Sequence, residues 1–387
     1  MINITKLYCG TPSIGDTLRY GAHALHSQID RKPIVVWNMT RRCNLNCIHC
    51  YASSENKMYE NELTFEEAQK MIRDLADFGV PVLLFSGGEP LMRSDIFDLA
   101  AFAGELGIRT VISTNGTLID DAVARSIKDA GVSYVGISLD GIGKRNDLFR
   151  GREGAFDAAI RAFDICAAMG QRCGLRLTLT RHNFLELNAI FDIIEEHKIG
   201  RACFYHLVYT GRGGSLREED LSHDETRQAV DLIIDKAADF NRRKVKTEIL
   251  TVDNHCDAPY LYMRMDRENS TRAKEALELL RRNGGNSSGI GIAAVDNEGW
   301  VHADQFWWHY SFGNVKARKF GDIWTDTSDK LMAVLKNRKP YLKGRCDACR
   351  WLDICNGNFR VRAEAVYGDV FAPDPACYLT DEEIGIA

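Results

Sequence analysis

The sequence predicts an α/β protein: a partial (β/α)6 barrel of the TIM type, followed by a smaller, cysteine-bearing C-terminal domain. Three observations carry this. From residue 33 to about 209, strand-like runs alternate with helix-like runs six times. Such alternation implies parallel strands with right-handed crossovers, hence a doubly wound sheet or a barrel. Each strand-like run ends in a polar or glycine-rich turn, and chemistry gathered at the carboxyl ends of parallel strands favours the barrel. Near residue 289 the pattern changes to glycine-punctuated β structure and then a second group of cysteines.

The elements follow in order. "PIVVWNM" (33–39) is rich in β-branched residues and ends just before Cys43, Cys47 and Cys50. "TFEEAQKMIRDLADFG" (64–79) opens with Thr64 and Glu67 at capping-box spacing, and Ala68, Met71, Ile72 and Leu75 recur at helical spacing. "VPVLLFS" reads as a buried strand and leads into "SGGEP"; "IRTVIS" leads into "STNGT", and "VSYVGISLD" into "GIG". "GLRLTLT" and "RACFYHLV" complete the six strands, the last followed by "YTGRGG". The helical runs between them begin at residues 95, 120, 154 and 184. Beyond the barrel, residues 216–283 look helical and charged, apart from a strand candidate "KTEILTV" (246–252). "GIGIAAVDNEGWVHAD" then reads as a hairpin turning at Asp296-Asn297-Glu298-Gly299. The expected organisation is an N-terminal extension (1–32), the partial barrel (33–215), a helical linker or insertion (216–288) and the C-terminal domain (289–387).

Composition narrows the function. A net charge of −5 argues against nucleic acid or an anionic membrane as partner. No apolar run approaches the ~20 residues that span a bilayer, and the first 30 residues lack the order of a signal peptide. A cytoplasmic protein is expected. Of twelve cysteines, seven fall in two groups, C-x3-C-x2-C at 43–50 and Cys346/Cys349/Cys355/Cys377, the spacing of soft metal ligands in a reducing compartment. Cys9, Cys166, Cys173, Cys203 and Cys256 are scattered and read as small buried hydrophobes. Three thiolates on one short loop can hold three irons of a [4Fe–4S] cluster and leave the fourth iron open. The competing reading is a zinc ion with His49 as fourth ligand. For the four-cysteine group, zinc and Fe–S are both open on spacing alone.

Together, C-x3-C-x2-C after the first strand, "SGGEP" after the second and "SLDG" after the fourth resemble the radical S-adenosylmethionine (SAM) superfamily. "CDACRWLDICNGNFRVRAEA…DPAC" is similar to its subgroup with a C-terminal SPASM or twitch extension. "MINITKLYCGTPSIGDTLRYG", "KPIVVWNMTRRCNLNCIHCYA" and "YHLVYTGRGG" resemble the enzymes of alternative haem (porphyrin) biosynthesis. Within these the likeness is to the 12,18-didecarboxysirohaem deacetylase (AhbC) type, with NirJ of haem d1 biosynthesis as a near relative. The resemblance implies SAM as cofactor and two [4Fe–4S] clusters. Cys43, Cys47 and Cys50 would hold the SAM-binding cluster, and Cys346, Cys349, Cys355 and Cys377 an auxiliary one. Fuller SPASM proteins carry further cysteines in the hairpin region, and their absence between Cys256 and Cys346 implies one auxiliary cluster. Glu89 with Gly87-Gly88 would receive the SAM ammonium. Ser138 and Asp140 would contact its ribose and amino-acid part, Arg150 its carboxylate, Asn115 a further part, and Tyr51 would pack near the adenine.

The implied chemistry is hydrogen abstraction by a 5′-deoxyadenosyl radical. Two acetate side chains would then leave an iron tetrapyrrole, giving iron-coproporphyrin III. A flat, rim-carboxylated substrate wants apolar walls, cationic edges and an axial ligand. Arg212 is a candidate carboxylate contact, and His206, His255, His302 and His309 are candidate substrate residues, the last beside Trp307 and Trp308. A ferredoxin or flavodoxin is the expected electron donor and a monomer the expected state. The alternatives are NirJ-type chemistry, a radical SAM peptide or protein maturase, and a non-enzymatic metal or electron-transfer module.

Overall fold

The computed structural model describes residues 1–21 and 32–386; residues 22–31, within the expected N-terminal extension, lie outside them. In chain order the strands are β1 (Ile2–Asn3), β2 (Ile34–Thr40), β3 (Val82–Gly87), β4 (Arg109–Thr114), β5 (Tyr134–Ser138) and β6 (Cys173–Leu179). They continue with β7 (Arg201–His206), β8 (Glu248–Val252), β9 (Ile292–Val295), β10 (Trp300–His302) and β11 (Gly313–Asn314). All join one sheet in the order β1-β8-β7-β6-β5-β4-β3-β2-β9-β10-β11.

The six expected strands are β2–β7, paired parallel in sequence order. The series continues on both sides, since β8 pairs parallel with β7 and β9 parallel with β2. The strand candidate at 246–252 thus extends the barrel wall, and the expected hairpin, β9–β10, is attached to it through β9. At its turn Asp296 accepts from Glu298 and Trp300 amides, and Gly299 takes φ +93°. Among the described residues the N-terminus also joins the sheet, through the antiparallel β1–β8 pair.

Side-chain alternation explains why the sheet curls. On one face Val35, Trp37, Leu83, Phe85, Ile112, Val135, Leu175 and Phe204 are buried in the main apolar core together with the helices. On the other face one residue from each of seven successive strands lines a single cavity: Val36, Leu84, Val111, Tyr134, Arg176, Tyr205 and Val252. Seven neighbouring strands can surround one space only if the sheet wraps around it, as a partial barrel does. The helix Phe65–Phe78 has the complete Thr64/Glu67 capping box and ends on Gly79 in the left-handed region. The amphipathic run after β11 resolves into two short helices, Phe320–Thr325 and Lys330–Lys336. Asp329 caps the second, so the turn at 326–329 has its own local hydrogen bonding. No helix of the described residues is long and apolar enough to cross a membrane.

Candidate active site

β2 delivers the chain into the three-cysteine loop, and each thiol receives a hydrogen bond. Leu45 N donates to Cys43 at 3.4 Å, Arg150 Nη1 to Cys47 at 3.6 Å and Ser54 N to Cys50 at 3.4 Å. Burial pushes the Cys43 thiol up to about 12, and raises Cys47 against the opposing pull of Arg150. A metal held here would therefore displace protons on binding.

Two neighbouring loops clamp this one. "SGGEP" lies against the chain before Cys43: Gly88 N donates to Thr40 O at 2.7 Å and Glu89 N to Arg42 O at 2.9 Å. A Cβ on Gly88 would stand 2.2 Å from the Arg42 carbonyl oxygen, and Gly87 has φ +132°, so both positions require glycine. From the other side, Arg212 donates from Nε to Cys47 O at 2.8 Å and from Nη1 to Ser54 O at 2.9 Å. Its Nη2 is buried and unpartnered among the described residues.

Cys43, Cys47 and Cys50 line one cavity, of about 160 Å³ accessible volume, with Tyr51, Gly87, Gly88, Asn115, Ser138, Arg150, His206 and Arg212. Nearly the whole expected SAM set therefore converges. Glu89 and Asp140 sit behind that wall. Glu89 is fully buried and accepts from Thr114 Oγ1 (2.7 Å), Asn115 N (2.8 Å) and Leu91 N (3.1 Å); burial pushes its carboxyl up to about 7. Asp140 accepts from Thr178 N at 2.6 Å and pairs with Arg150, while His49 Nε2 lies 3.8 Å away. His49 packs on Phe149 at 4.6 Å between ring centroids and is held well below its usual pKa by burial, to about 4. Tyr51 donates to Asn38 at 2.8 Å, its ring edge-on to Phe306.

The other candidate histidines are dispersed. His206 is tied to Asp257 at 2.9 Å, and His255 stacks on Phe359 in a different cavity. His302 is held by the Tyr310 carbonyl and Asp296, and His309 by Glu364 at 2.8 Å. Trp307 is buried in the C-terminal part, whereas Gln305 and Phe306 of the same run reach the cavity wall. Sequence reading missed Arg176, Thr178 and Asp253, which also line it. An arginine inside the otherwise apolar run "GLRLTLT" was the available signal, because an inward strand position that is charged must face a polar space.

Cys346, Cys349, Cys355 and Cys377 surround a separate, small pocket of about 30 Å³ accessible volume, with Trp351 and Leu352 on its wall. Cys256 is not scattered as expected: it stands in this pocket as a fifth thiol, donating to Asn254 Oδ1 at 2.9 Å. Burial raises Cys256, and its contact with Cys377 lowers Cys377. Among the described residues no three His, Cys, Asp or Glu side chains close on one point as a single ion requires. Thiols set around a space have the donor chemistry of a multi-atom Fe–S cluster, which cysteine thiolates hold. All twelve cysteines are free.

A curled parallel sheet with three clustered thiols at the end of its first barrel strand defines the class. Residues 37–212 match the Radical SAM superfamily, and the chain belongs to it: it is a radical SAM enzyme. Over its full length the chain is 60% identical to the Fe-coproporphyrin III synthase of Methanosarcina barkeri, covering 99% of that protein. It is 42% identical to the pre-heme d1 synthase of Dinoroseobacter shibae, over 92% of this chain and 88% of the relative. In fold it is similar to SuiB of Streptococcus suis solved with its precursor peptide, at TM-score 0.71 and 20% identity, over 90% of this chain and 76% of SuiB.

Proposed function

We propose that the chain removes two acetate side chains from 12,18-didecarboxysirohaem and releases iron-coproporphyrin III. The observation that carries this reading is the full-length 60% identity to an Fe-coproporphyrin III synthase. A [4Fe–4S] cluster on Cys43, Cys47 and Cys50 would supply the electron that cleaves SAM to the hydrogen-abstracting 5′-deoxyadenosyl radical.

The chain's own residues have positioning roles. Gly87 and Gly88 bring backbone close to the cysteine loop, and Glu89 behind them offers a buried carboxylate for the SAM ammonium. Arg150, already bound to Asp140 and Cys47, presents the cation for the SAM carboxylate. Tyr51 and Ser138 bound the nucleoside end, and Arg212 braces the loop while keeping one nitrogen for an acceptor. Cys346, Cys349, Cys355 and Cys377 would hold the auxiliary [4Fe–4S] cluster. A cytoplasmic ferredoxin or flavodoxin is the fitting donor.

The 42% identity to a pre-heme d1 synthase favours NirJ-type side-chain removal as the second reading. Anaerobic turnover with didecarboxysirohaem, SAM and reductant, followed by mass spectrometry, is the test. Loss of two acetate-sized masses is expected. Formation of 5′-deoxyadenosine without any change in tetrapyrrole mass would overturn the reading.

A further inference from the structure

A second cavity lies inside the curled sheet, beyond the one that holds the cysteines. Its accessible volume is about 300 Å³, at the lower end of the ~300–1,000 Å³ of common small-molecule sites. Arg176, Tyr205, Asp253 and Gln305 line both cavities and mark where they join. Much of its wall is aliphatic or aromatic, from the inward residues of β2–β8. Its far end is different.

Arg109 opens β4, Arg201 opens β7, Arg172 immediately precedes β6, and Arg19 comes from the helix Asp16–Tyr20. All four line the cavity, three of them at the amino ends of strands whose carboxyl ends face the cysteines. Among the described residues their neutralisation is incomplete. Glu248 takes both Arg19 (2.6 Å) and Arg201 (2.5 Å), and Asp16 lies 3.6 Å from Arg19. Arg109 and Arg172 make no side-chain hydrogen bond or ion pair with any described residue, and both are exposed to the opening. Burial, then the repulsion of Arg201, Arg172 and Arg19, lowers the pKa of Arg109, as expected for cations short of counter-charge. At the junction, the Arg176 guanidinium lies 4.7 Å over the Tyr205 ring. In a chain of net charge −5, free positive charge gathered at one mouth marks the place of an anion.

We propose that this chamber is the substrate site, where a flat polycarboxylate lies between apolar walls with its rim carboxylates on Arg109 and Arg172. Arg176 then meets the edge that faces the SAM cavity. Guanidinium forks suit this task because they bind carboxylates through two parallel hydrogen bonds. The assignment rests on the tetrapyrrole reading above and adds where the molecule lies and which end it enters.

The test is a Soret titration of the anaerobic holoenzyme with iron-coproporphyrin III. The Arg109→Gln/Arg172→Gln double variant should bind at least about tenfold more weakly, and Arg109→Lys/Arg172→Lys should recover part of the loss. The tetramethyl ester, with the same ring and no carboxylates, should bind wild type about tenfold more weakly than the acid. Circular dichroism checks folding, which these two unbonded side chains should not affect. Equal affinity of wild type and the glutamine variant, or of ester and acid, overturns the chamber and leaves the tetrapyrrole reading standing. Failure of wild type to bind any tetrapyrrole overturns that reading and the chamber with it.

Discussion

Glu89 is the site residue on which burial acts most directly. Its carboxyl is fully enclosed and sits near 7, against an ordinary value of 4.5, despite three donors that pull the other way. The folded chain therefore holds this proton more tightly than the unfolded chain does. Stability contributed by the neutral form is complete below pH 4.5 and is lost as pH rises towards 7. In metal-free protein, wild type should lose on the order of 2–3 kcal/mol relative to Glu89→Gln between pH 5 and 8. Urea unfolding at several pH values measures it, and parallel pH profiles would mean the carboxyl is ionised throughout. The same energetics suit the proposed role, because an arriving ammonium is what would make the charged form comfortable there.

At the scale of elements, local signals were strong where one residue pattern decides one geometry. Thr64 and Glu67 make their capping box, so Thr64→Ala should cost about 1 kcal/mol. Hydrogen exchange across Phe65–Phe78 should quicken at the first turn, with the sheet unchanged. Strands β2–β7 were legible because one face packs against the helices and the other lines a chamber with largely apolar walls, which leaves near-continuous apolar runs. The inner chamber was not legible, since its lining is scattered over strands β2–β9 at alternate positions, and no local window contains it. Cys256 escaped for a related reason: its partners at the second cysteine pocket lie ninety or more positions further along the chain. The expected SAM residues were found through the family's motifs. That Glu89 and Asp140 stand behind the cavity wall depends on packing that spacing does not encode.

For the whole molecule, the two thiol groups occupy separate cavities, so their metal contents should be separable. If both hold [4Fe–4S] clusters, the anaerobically reconstituted chain carries about eight iron and about eight acid-labile sulfide. Replacing Cys43, Cys47 and Cys50 together by alanine should leave about four of each, and so should replacing Cys346, Cys349 and Cys355. The second variant also tests independence, because the loop that holds the first group is braced by Arg212 and the Gly87-Gly88 turn, not by the C-terminal cysteines. It should still cleave SAM when reduced. Cys256→Ser should keep all eight irons, because four thiols already complete a cubane and Cys256 is a fifth. About four iron with one zinc per wild-type chain would identify the C-terminal pocket as a zinc site. A loss of iron in Cys256→Ser would make that thiol a ligand in place of one of the four.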